Sequence, residues 1–163
     1  MYTFIADTPL GAMRAAADDG FLRGLWFIGQ KYFPAGTETW LEVPDYPVFV
    51  SLGSWLKEYF AGSIPATEVP LSPKGTAFQE AVWKLLLKIP YGKTTSYGAI
   101  AALLAGAGKK APSQAVGGAV GHNPISLLIP CHRVLGADGS LTGYAGGLEK
   151  KRALLELEKN GSF

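Results

Sequence analysis

The sequence has little of the chemistry that stabilises small secreted domains or holds structural metals. Its 163 residues include only 1 Cys and 2 His, too few for an intramolecular disulfide or for a tetrahedral zinc site built from Cys and His alone. No apolar run approaches the roughly 18 residues that cross a bilayer, and no basic segment precedes a long apolar stretch at the start of the chain. These absences predict a cytoplasmic protein with no metal, no other cofactor and no membrane contact.

The composition excludes the classes of protein that do not bury a hydrophobic core. Hydrophobic residues make up 48% of the sequence and charged residues 17%, unlike a disordered tail or a collagen-like repeat. There is no internal repeat and no low-complexity tract. The length therefore allows one large domain or two small ones.

Acidic residues are absent from one long interval of the second half. Residues 1–75 carry five Lys/Arg against eight Asp/Glu, a balance of −3, whereas residues 76–163 carry ten against five, a balance of +5. Between Glu80 and Asp138 no acidic residue occurs. The basic residues of this interval are Lys84, Lys88, Lys93, Lys109, Lys110 and Arg133. Such a stretch suits a phosphate-binding surface, although an ordinary solvated face has the same composition.

The first half of the sequence predicts a small sheet covered by a helix. Apolar-rich runs at residues 11–17 and 21–28 flank an Asp-Asp-Gly turn at 18–20, which is a strong hairpin signal. Apolar residues recur at helical spacing over 48–60. They predict a helix that ends near Gly62 and covers one face of the sheet.

The proline-rich stretch 63–75 predicts an extended connection between two domains. It coincides with the change in charge sign, so we expect an N-terminal α/β support domain over residues 1–72 and a second domain over residues 76–163. The second domain opens with Thr76 and Gln79, spaced as a capping box for a following helix.

Two short helices follow within the acid-free interval. Thr95 or Ser96 can cap the first, which breaks at the glycines of 106–108. The second begins near Pro112, which suits the first helical position, and ends at Gly121, which suits the position after the C-cap. This arrangement has the outline of a helix-turn-helix, although many helical hairpins share it.

The second of these helices is built from small residues. Residues 113–120 include a Gly pair, and each Gly costs a helix interior about 1 kcal/mol relative to Ala. A thin helix suits the DNA minor groove, which is only about 6 Å wide, better than the major groove. The alternative is close packing against a neighbouring helix, which also requires Gly and Ala.

The only cysteine stands beside a histidine. Cys131 follows the apolar run 125–129, which predicts a strand, and precedes His132. A nearby imidazole is a common means of generating a thiolate. Because neighbouring residues of a strand point to opposite faces, contact between the two side chains requires a turn after Pro130 or a bridging water. The alternative is an inert buried thiol.

Three motifs together resemble one family. Gly-His-Asn-Pro at 121–124, Pro-Cys-His-Arg-Val at 130–134 and Gly-Tyr-Ala-Gly-Gly at 143–147 are similar to the motifs of the O6-alkylguanine-DNA alkyltransferases. The resemblance covers residues 76–161 closely and the first half more loosely. It implies an α+β fold, with a small N-terminal ribonuclease-H-like sheet and helix followed by a helical winged-helix or helix-turn-helix domain.

The resemblance also implies a reaction. The helix-turn-helix would enter the minor groove of double-stranded DNA, the damaged guanine would be flipped out, and Cys131 would attack the alkyl carbon by in-line displacement. Flipping is needed because the O-alkyl carbon is inaccessible inside the base stack. The thioether product is not readily hydrolysed, so one molecule would repair one lesion, O6-alkylguanine or O4-alkylthymine. A monomer with no obligate protein partner is expected.

Residue roles follow from the same resemblance. His132 would act as a water-mediated base towards Cys131, and Glu158 would orient His132 through one ring nitrogen. Tyr97 would donate to the flipped guanine, and Asn123 would brace the turn around Cys131. The plain alternatives are a solvated glutamate, a core aromatic and a local Asn-Pro turn.

Further contacts are also implied by the family. The guanine edge would meet the backbone carbonyls of Cys131 and Val134 and the backbone N–H of Ala145. Residues expected to contact DNA are Thr95, Ser96, Ser113, Gln114, Ala115, Gly117 and Arg133.

Two departures from the family stand out. Gln114 occupies the position where many members have an arginine that fills the space left by the flipped base, and no Cys or His of the first half could hold the zinc of some members. A winged-helix DNA-binding or damage-sensing protein without transfer activity is the alternative function.

Overall fold

The computed structural model describes residues 1–163, and its first half contains the predicted hairpin. Strands β2 (Gly11–Asp18) and β3 (Phe21–Phe27) are antiparallel. The turn residues Asp19 and Gly20 have φ values of 50° and 80°, the positive values that a tight two-residue hairpin turn requires. The hairpin prediction is confirmed.

Two further strands complete a four-stranded sheet. Strand β1 (Tyr2–Thr8) pairs antiparallel with β2, and the short β4 (Leu41–Glu42) pairs parallel with β1. The strand order is β3-β2-β1-β4. The buried Thr3 hydroxyl donates to the Ala15 carbonyl at 2.7 Å, so this polar side chain is tolerated inside the sheet because it is hydrogen-bonded.

A single helix, α1 (Pro47–Phe60), covers one face of the sheet as predicted. Its buried residues include Phe49, whose ring centroid lies 5.4 Å from that of Phe4 in β1. Gly62 follows the C-cap with φ 88°, which a residue with a side chain rarely adopts. A Cβ there would lie 2.0 Å from the Gly161 carbonyl oxygen, so the end of α1 packs directly against the C-terminus.

The connection between the halves is extended and partly paired. Leu22 in β3 donates to the Pro70 carbonyl at 2.8 Å and accepts from the Ser72 N–H at 3.0 Å. Helix α2 (Ala77–Leu86) then begins at the predicted capping box, with the Thr76 hydroxyl accepting from the Gln79 N–H at 3.1 Å. This box satisfies backbone donors that a helix start leaves unpaired.

The two helices of the predicted helix-turn-helix are present. Helix α3 (Tyr97–Gly106) is capped by Ser96, which accepts from the Ala99 N–H at 3.1 Å. Thr95 does not cap it. Thr95 precedes the cap residue in the short strand β5 (Thr95–Ser96). Helix α4 spans Ser113–Gly121 and packs against α3.

The expected ends of α4 are wrong in detail. Pro112 is the N-cap rather than the first helical residue. Gly121 is the last residue of the helix rather than the residue after the C-cap, and its φ is not positive. The helix ends differently because His122 supplies the terminating contacts. Its backbone N–H donates to the Gly118 carbonyl at 3.1 Å, and its ring Nδ1 lies 2.7 Å from the same oxygen.

The strand predicted over 125–129 is absent. Only Ile125 forms an isolated bridge, to Leu25, and Leu127 has φ 71°. The cause is the Asn123 amide, which donates to the carbonyls of Ile125 and Ile129 at 3.3 and 2.8 Å and folds the segment back on itself.

Cys131–Arg133 therefore form a 3-10 turn instead of continuing a strand. Strand β6 (Val134–Leu135) follows and pairs parallel with β5. Helix α5 (Leu148–Asn160) ends the chain. A turn after Pro130, which contact between the Cys131 and His132 side chains requires, is therefore present.

The two halves are packed into one body. The Leu25 N–H donates to the Pro124 carbonyl at 2.8 Å, and the Ser126 N–H donates to the Leu25 carbonyl at 3.0 Å. One cluster of buried apolar side chains includes members from both halves. The α+β prediction is confirmed. None of the helices combines the length and the apolar composition of a membrane span.

Candidate active site

One cavity brings together several of the residues predicted for the site. Its volume is about 250 Å³, and it lies between α3, α4 and the loops around Cys131. Five predicted residues line it: Tyr97, Gly117, Asn123, Cys131 and Ala145. Others that sequence reasoning did not assign are Lys31, Tyr32, Gly118, Val120, Gly121, Ser126, Gly143 and Tyr144. We refer to this space as the Cys131 cavity.

Cys131 is the first residue of the 3-10 turn and is only 7% exposed. Burial raises the pKa of its thiol, and this effect exceeds the opposing influence of the Asn123 hydrogen bond and the Lys151 positive charge. The resting side chain is therefore a thiol at neutral pH. Nucleophilic attack requires that its proton be removed during the reaction.

His132 is fully buried behind Cys131 and contacts Glu158. Its Nε2 lies 2.5 Å from Glu158 Oε2, while its buried Nδ1 has no hydrogen-bond partner in the protein. Because a carboxylate only accepts, Nε2 carries the proton and Nδ1 keeps its lone pair. Burial lowers the pKa of His132 despite the opposing effect of Glu158. The ring is a neutral base with one free accepting nitrogen.

Glu158 is the centre of a buried polar network. Its side chain is 1% exposed and accepts from the Tyr59 hydroxyl at 2.6 Å, the Gly92 N–H at 3.0 Å and the Arg133 Nε at 2.8 Å. Burial alone would raise the pKa of Glu158, but hydrogen bonds from His132, Arg133 and Tyr59 hold it far below its ordinary value. The alternative of a solvated glutamate is wrong.

The prediction that Arg133 contacts DNA is also wrong. The residue is 8% exposed, its guanidinium donates to both Glu158 oxygens, and its Nη1 donates to the Ile89 carbonyl at 2.7 Å. A guanidinium fixed in this way neutralises a buried carboxylate and is unavailable to a phosphate. The sequence around Arg133 does not indicate this role, because its partner Glu158 lies 25 residues further along the chain.

A second polar cluster fixes the loop opposite Cys131. The Tyr97 hydroxyl donates to the Thr142 carbonyl at 3.1 Å, and the Lys151 ammonium donates to the same carbonyl at 2.8 Å and to the Gly143 carbonyl at 3.1 Å. Lys151 is fully buried, and burial lowers its pKa to about 8. Sequence reasoning missed Lys151, since its spacing in α5 is that of an ordinary helical lysine.

The remaining predicted residues lie around the cavity rather than in it. Ser113 and Gln114 are exposed at the start of α4, Ala115 is half-buried there, and Thr95 and Ser96 are half-buried in β5. Val134 is buried in β6 and is not among the lining residues.

No group of three or more His, Cys, Asp or Glu side chains is arranged to hold a metal ion.

Family models match both halves of the chain. Residues 1–73 match the ribonuclease-like domain of 6-O-methylguanine DNA methyltransferase, and residues 77–160 match the DNA binding domain of the same family.

Curated relatives match almost the full length. A methylated-DNA–protein-cysteine methyltransferase of Mycobacterium tuberculosis is 47% identical over 94% of this chain and 90% of the relative. One from Methanosarcina acetivorans is 42% identical over 97% of this chain and 98% of the relative.

Solved structures show the same likeness. Mycobacterium tuberculosis OGT in complex with DNA superposes with a TM-score of 0.88 and 42% identity, over 99% of this chain and 95% of that one. An O6-methylguanine DNA methyltransferase from Methanococcus jannaschii gives a TM-score of 0.68 at 25% identity, over 96% of this chain and 93% of that one.

Proposed function

Because the chain belongs to the methylated-DNA–protein-cysteine methyltransferase family, we propose that Cys131 is the residue that takes an alkyl group from O6-alkylguanine in DNA. The protein has the DNA-repair activity of an O6-methylguanine DNA methyltransferase, and it binds DNA. The observation that supports Cys131 as acceptor is its position: the only thiol of the chain lines a cavity and precedes a buried His132–Glu158 pair.

The transfer is a displacement at carbon. A bond forms between Cys131 Sγ and the alkyl carbon as the bond from that carbon to guanine O6 breaks. The thiol proton passes through a water to His132 Nδ1, which is free because Nε2 is bound to Glu158. Tyr97, whose hydroxyl donates to the Thr142 carbonyl in this structure, turns that donor to the guanine as negative charge develops on it. The departing guanine takes a proton from solvent, and His132 releases to solvent the proton that it accepted from the thiol.

The buried network keeps His132 in the protonation state in which Nδ1 can accept a proton. Glu158 stays ionised because Arg133 and Tyr59 donate to it, and an ionised Glu158 fixes the proton of His132 on Nε2. Asn123 acts on the nucleophile itself: its amide folds 125–130 into the loop that presents Cys131 to the cavity.

Access to the cavity requires that the damaged base leave the DNA stack. We infer that α4 enters the minor groove of double-stranded DNA, since its exposed residues are Ser113, Gln114 and Gly118, two of which are small. In this proposal Gln114, exposed near the start of α4, occupies the space left by the flipped base. The backbone groups of Cys131, Val134 and Ala145 are the expected contacts of the guanine edge, and the protein acts as a monomer without a cofactor.

Intact mass spectrometry tests the acceptor. The protein is mixed with a duplex oligonucleotide containing one O6-methylguanine, and the modified peptide is mapped. We expect the mass gain of one methylene at Cys131 and none in Cys131→Ala. An unalkylated duplex is the control. Binding without any mass change would favour a damage-sensing protein without transfer activity.

Stoichiometry tests the irreversibility of the step. If the thioether is a dead end, repaired guanine reaches a plateau at one equivalent per protein molecule. Continued turnover beyond one equivalent would contradict the proposal.

A further inference from the structure

One wall of the Cys131 cavity comes from the N-terminal half. Lys31 and Tyr32, in the loop that follows β3, line the cavity together with Cys131 and Tyr97. The chemistry proposed above uses neither of them. The support role assigned to the first 72 residues therefore leaves these two lining side chains unexplained.

The Tyr32 ring is fixed against the end of α4. It stacks on His122 with centroids 3.8 Å apart and planes inclined by 24°, and it lies 3.8 Å from where a Cβ of Gly121 would be. The His122 ring is itself held, because its Nδ1 lies 2.7 Å from the Gly118 carbonyl oxygen. Tyr32 is nevertheless 48% exposed. A half-exposed ring stacked on a polar ring contributes to the shape of the cavity more than to the core.

The backbone at Tyr32 is strained in a way that keeps the ring in this place. Its φ is 63°, in the left-handed region that is unfavourable for a bulky residue. The turn is held by the Lys31 N–H, which donates to the Ala145 carbonyl at 3.0 Å, and by the Gln30 side chain, which accepts from the Phe27 N–H at 2.9 Å. Strain of this kind persists where surrounding contacts over-determine a side-chain position.

We propose that Tyr32 is a specificity-determining residue that limits the size of the O6-alkyl group transferred to Cys131. This inference rests on the proposed function. The cavity volume of about 250 Å³ is below the roughly 300–1,000 Å³ usual for ligand sites, so room in it is scarce. Removing the ring enlarges the cavity and admits a bulkier substituent, while a larger ring reduces the room further.

The experiment compares second-order transfer rates from two otherwise identical duplexes, one containing O6-methylguanine and the other O6-benzylguanine. In Tyr32→Ala the benzyl-to-methyl rate ratio rises about tenfold, the scale on which hydrophobic pockets discriminate small differences in size. In Tyr32→Trp the ratio falls below that of the wild type. The matched control is Tyr2→Ala. Tyr2 belongs to the same half of the chain but does not line the cavity, and its ring centroid lies 4.8 Å from that of Tyr46.

Two results would overturn the inference. One is an unchanged ratio in both Tyr32 variants with methyl transfer preserved, and the other is an equal fall of both rates, which indicates a purely structural role. If Tyr32→Ala does not fold, Tyr32→Gly suits φ 63° and is judged by the same ratio. A wild-type protein that transfers neither group would overturn the proposed function itself.

Discussion

Glu158 is the residue on which the buried polar side chains behind Cys131 converge. It accepts from Tyr59, Arg133 and the Gly92 backbone while holding His132. An ionised carboxylate is tolerated inside the protein only because each of its oxygens has charged or hydrogen-bonded partners. The network therefore makes the fold around the site depend on the protonation state of one side chain.

Acid stability tests this dependence. Because folding lowers the pKa of Glu158 from its ordinary 4.5, the folded state binds fewer protons than the unfolded state as pH falls through 4.5. Stability contributed by Glu158 is present above that pH and is lost progressively below it. We expect Glu158→Gln to lose about 3 to 5 kcal/mol at pH 7, since it leaves Arg133 buried and uncompensated.

Denaturant unfolding between pH 3 and pH 7 measures this effect. The free energy of unfolding of Glu158→Gln should vary less with pH than that of the wild type in the acidic range. Parallel pH dependences in the two proteins would contradict the assignment of Glu158 as the dominant acid-sensitive group.

His132 predicts a second pH dependence, in the reaction rather than in stability. Burial lowers the pKa of His132, so the wild-type base is already neutral at pH 7 and its transfer rate should change little above that pH. In His132→Asn the thiolate must form by direct ionisation of a thiol whose pKa burial raises. The single-turnover rate of this variant should rise about tenfold per pH unit between pH 6 and pH 8.

Thermal unfolding of His132→Asn serves as the folding control. Superimposable pH–rate profiles for the variant and the wild type would show that His132 does not take the thiol proton.

At the scale of single residues, the pairing of His132 with Glu158 was predicted only through motif resemblance. The roles of Cys131 and His132 follow from adjacent residues, but Glu158 lies 26 residues from His132 and no local pattern connects them. Arg133 was expected to contact DNA because it lies in the basic, acid-free interval and because the family resemblance implied that contact. Tyr59 was predicted only as an apolar residue of a helix that covers the sheet, and Lys151 was assigned no role. Their hydrogen bonds depend on packing between elements that are distant in sequence.

At the scale of the elements, the small residues of α4 fit both explanations given for them, close packing on one face and an open face that suits the minor groove. On its packed side, the Trp83 indole of α2 donates to the Ala119 carbonyl at 2.8 Å, and Gly117 would place a Cβ 3.9 Å from the Tyr97 ring. Gly118 is exposed and has no neighbour within 4 Å of an added Cβ. Close packing explains one face of the helix, and the open face remains available for the minor groove.

Gln114 tests the role of that open face. An extruded base leaves a gap, and filling it offsets a few kcal/mol of lost stacking and pairing. A glutamine amide is shorter than a guanidinium and uncharged, so it fills less. We expect Gln114→Arg to keep or raise the transfer rate on duplex DNA and Gln114→Gly to lower it. The rate on free O6-alkylguanine base, which needs no extrusion, is the internal control and should change much less.

Equal slowing of duplex and free-base transfer in Gln114→Gly would show that Gln114 is not the residue that fills the stack. Because Gln114 is exposed, its substitution is expected to leave the fold intact, which thermal unfolding can verify.

Long elements were predicted better than short ones. The hairpin, α1, the capping box of α2 and the two helices around residues 97–121 follow from periodicity and capping residues. The segment before Cys131 was predicted as a strand from its apolar run, but side-chain hydrogen bonds from Asn123 fold it into a turn. Apolar composition alone does not distinguish the two cases, because both bury the same side chains.

On the scale of the whole molecule, the reactive site is assembled by both halves of the chain. The Lys31 N–H donates to the Ala145 carbonyl, and the Tyr59 hydroxyl of α1 donates to Glu158 of α5 at 2.6 Å. The N-terminal sheet and helix thus hold the cavity wall and the buried network directly. The division into domains at residues 72 and 76 stays a prediction, and these hydrogen bonds show that the two parts of the chain contact each other around the site.

The exposed charge of the molecule gives the last prediction. Five lysines of the acid-free interval are exposed, namely Lys84, Lys88, Lys93, Lys109 and Lys110, and each phosphate that a lysine neutralises releases counterions on binding. Affinity for undamaged duplex should therefore fall steeply with salt and depend little on sequence. Replacing both Lys109 and Lys110 by Ala should reduce the slope of log K against log salt by about 0.9 for each phosphate that is no longer neutralised. Lys57→Ala, an exposed lysine of α1 outside the interval, should leave that slope unchanged, and an equal change in both variants would locate the DNA-binding surface elsewhere.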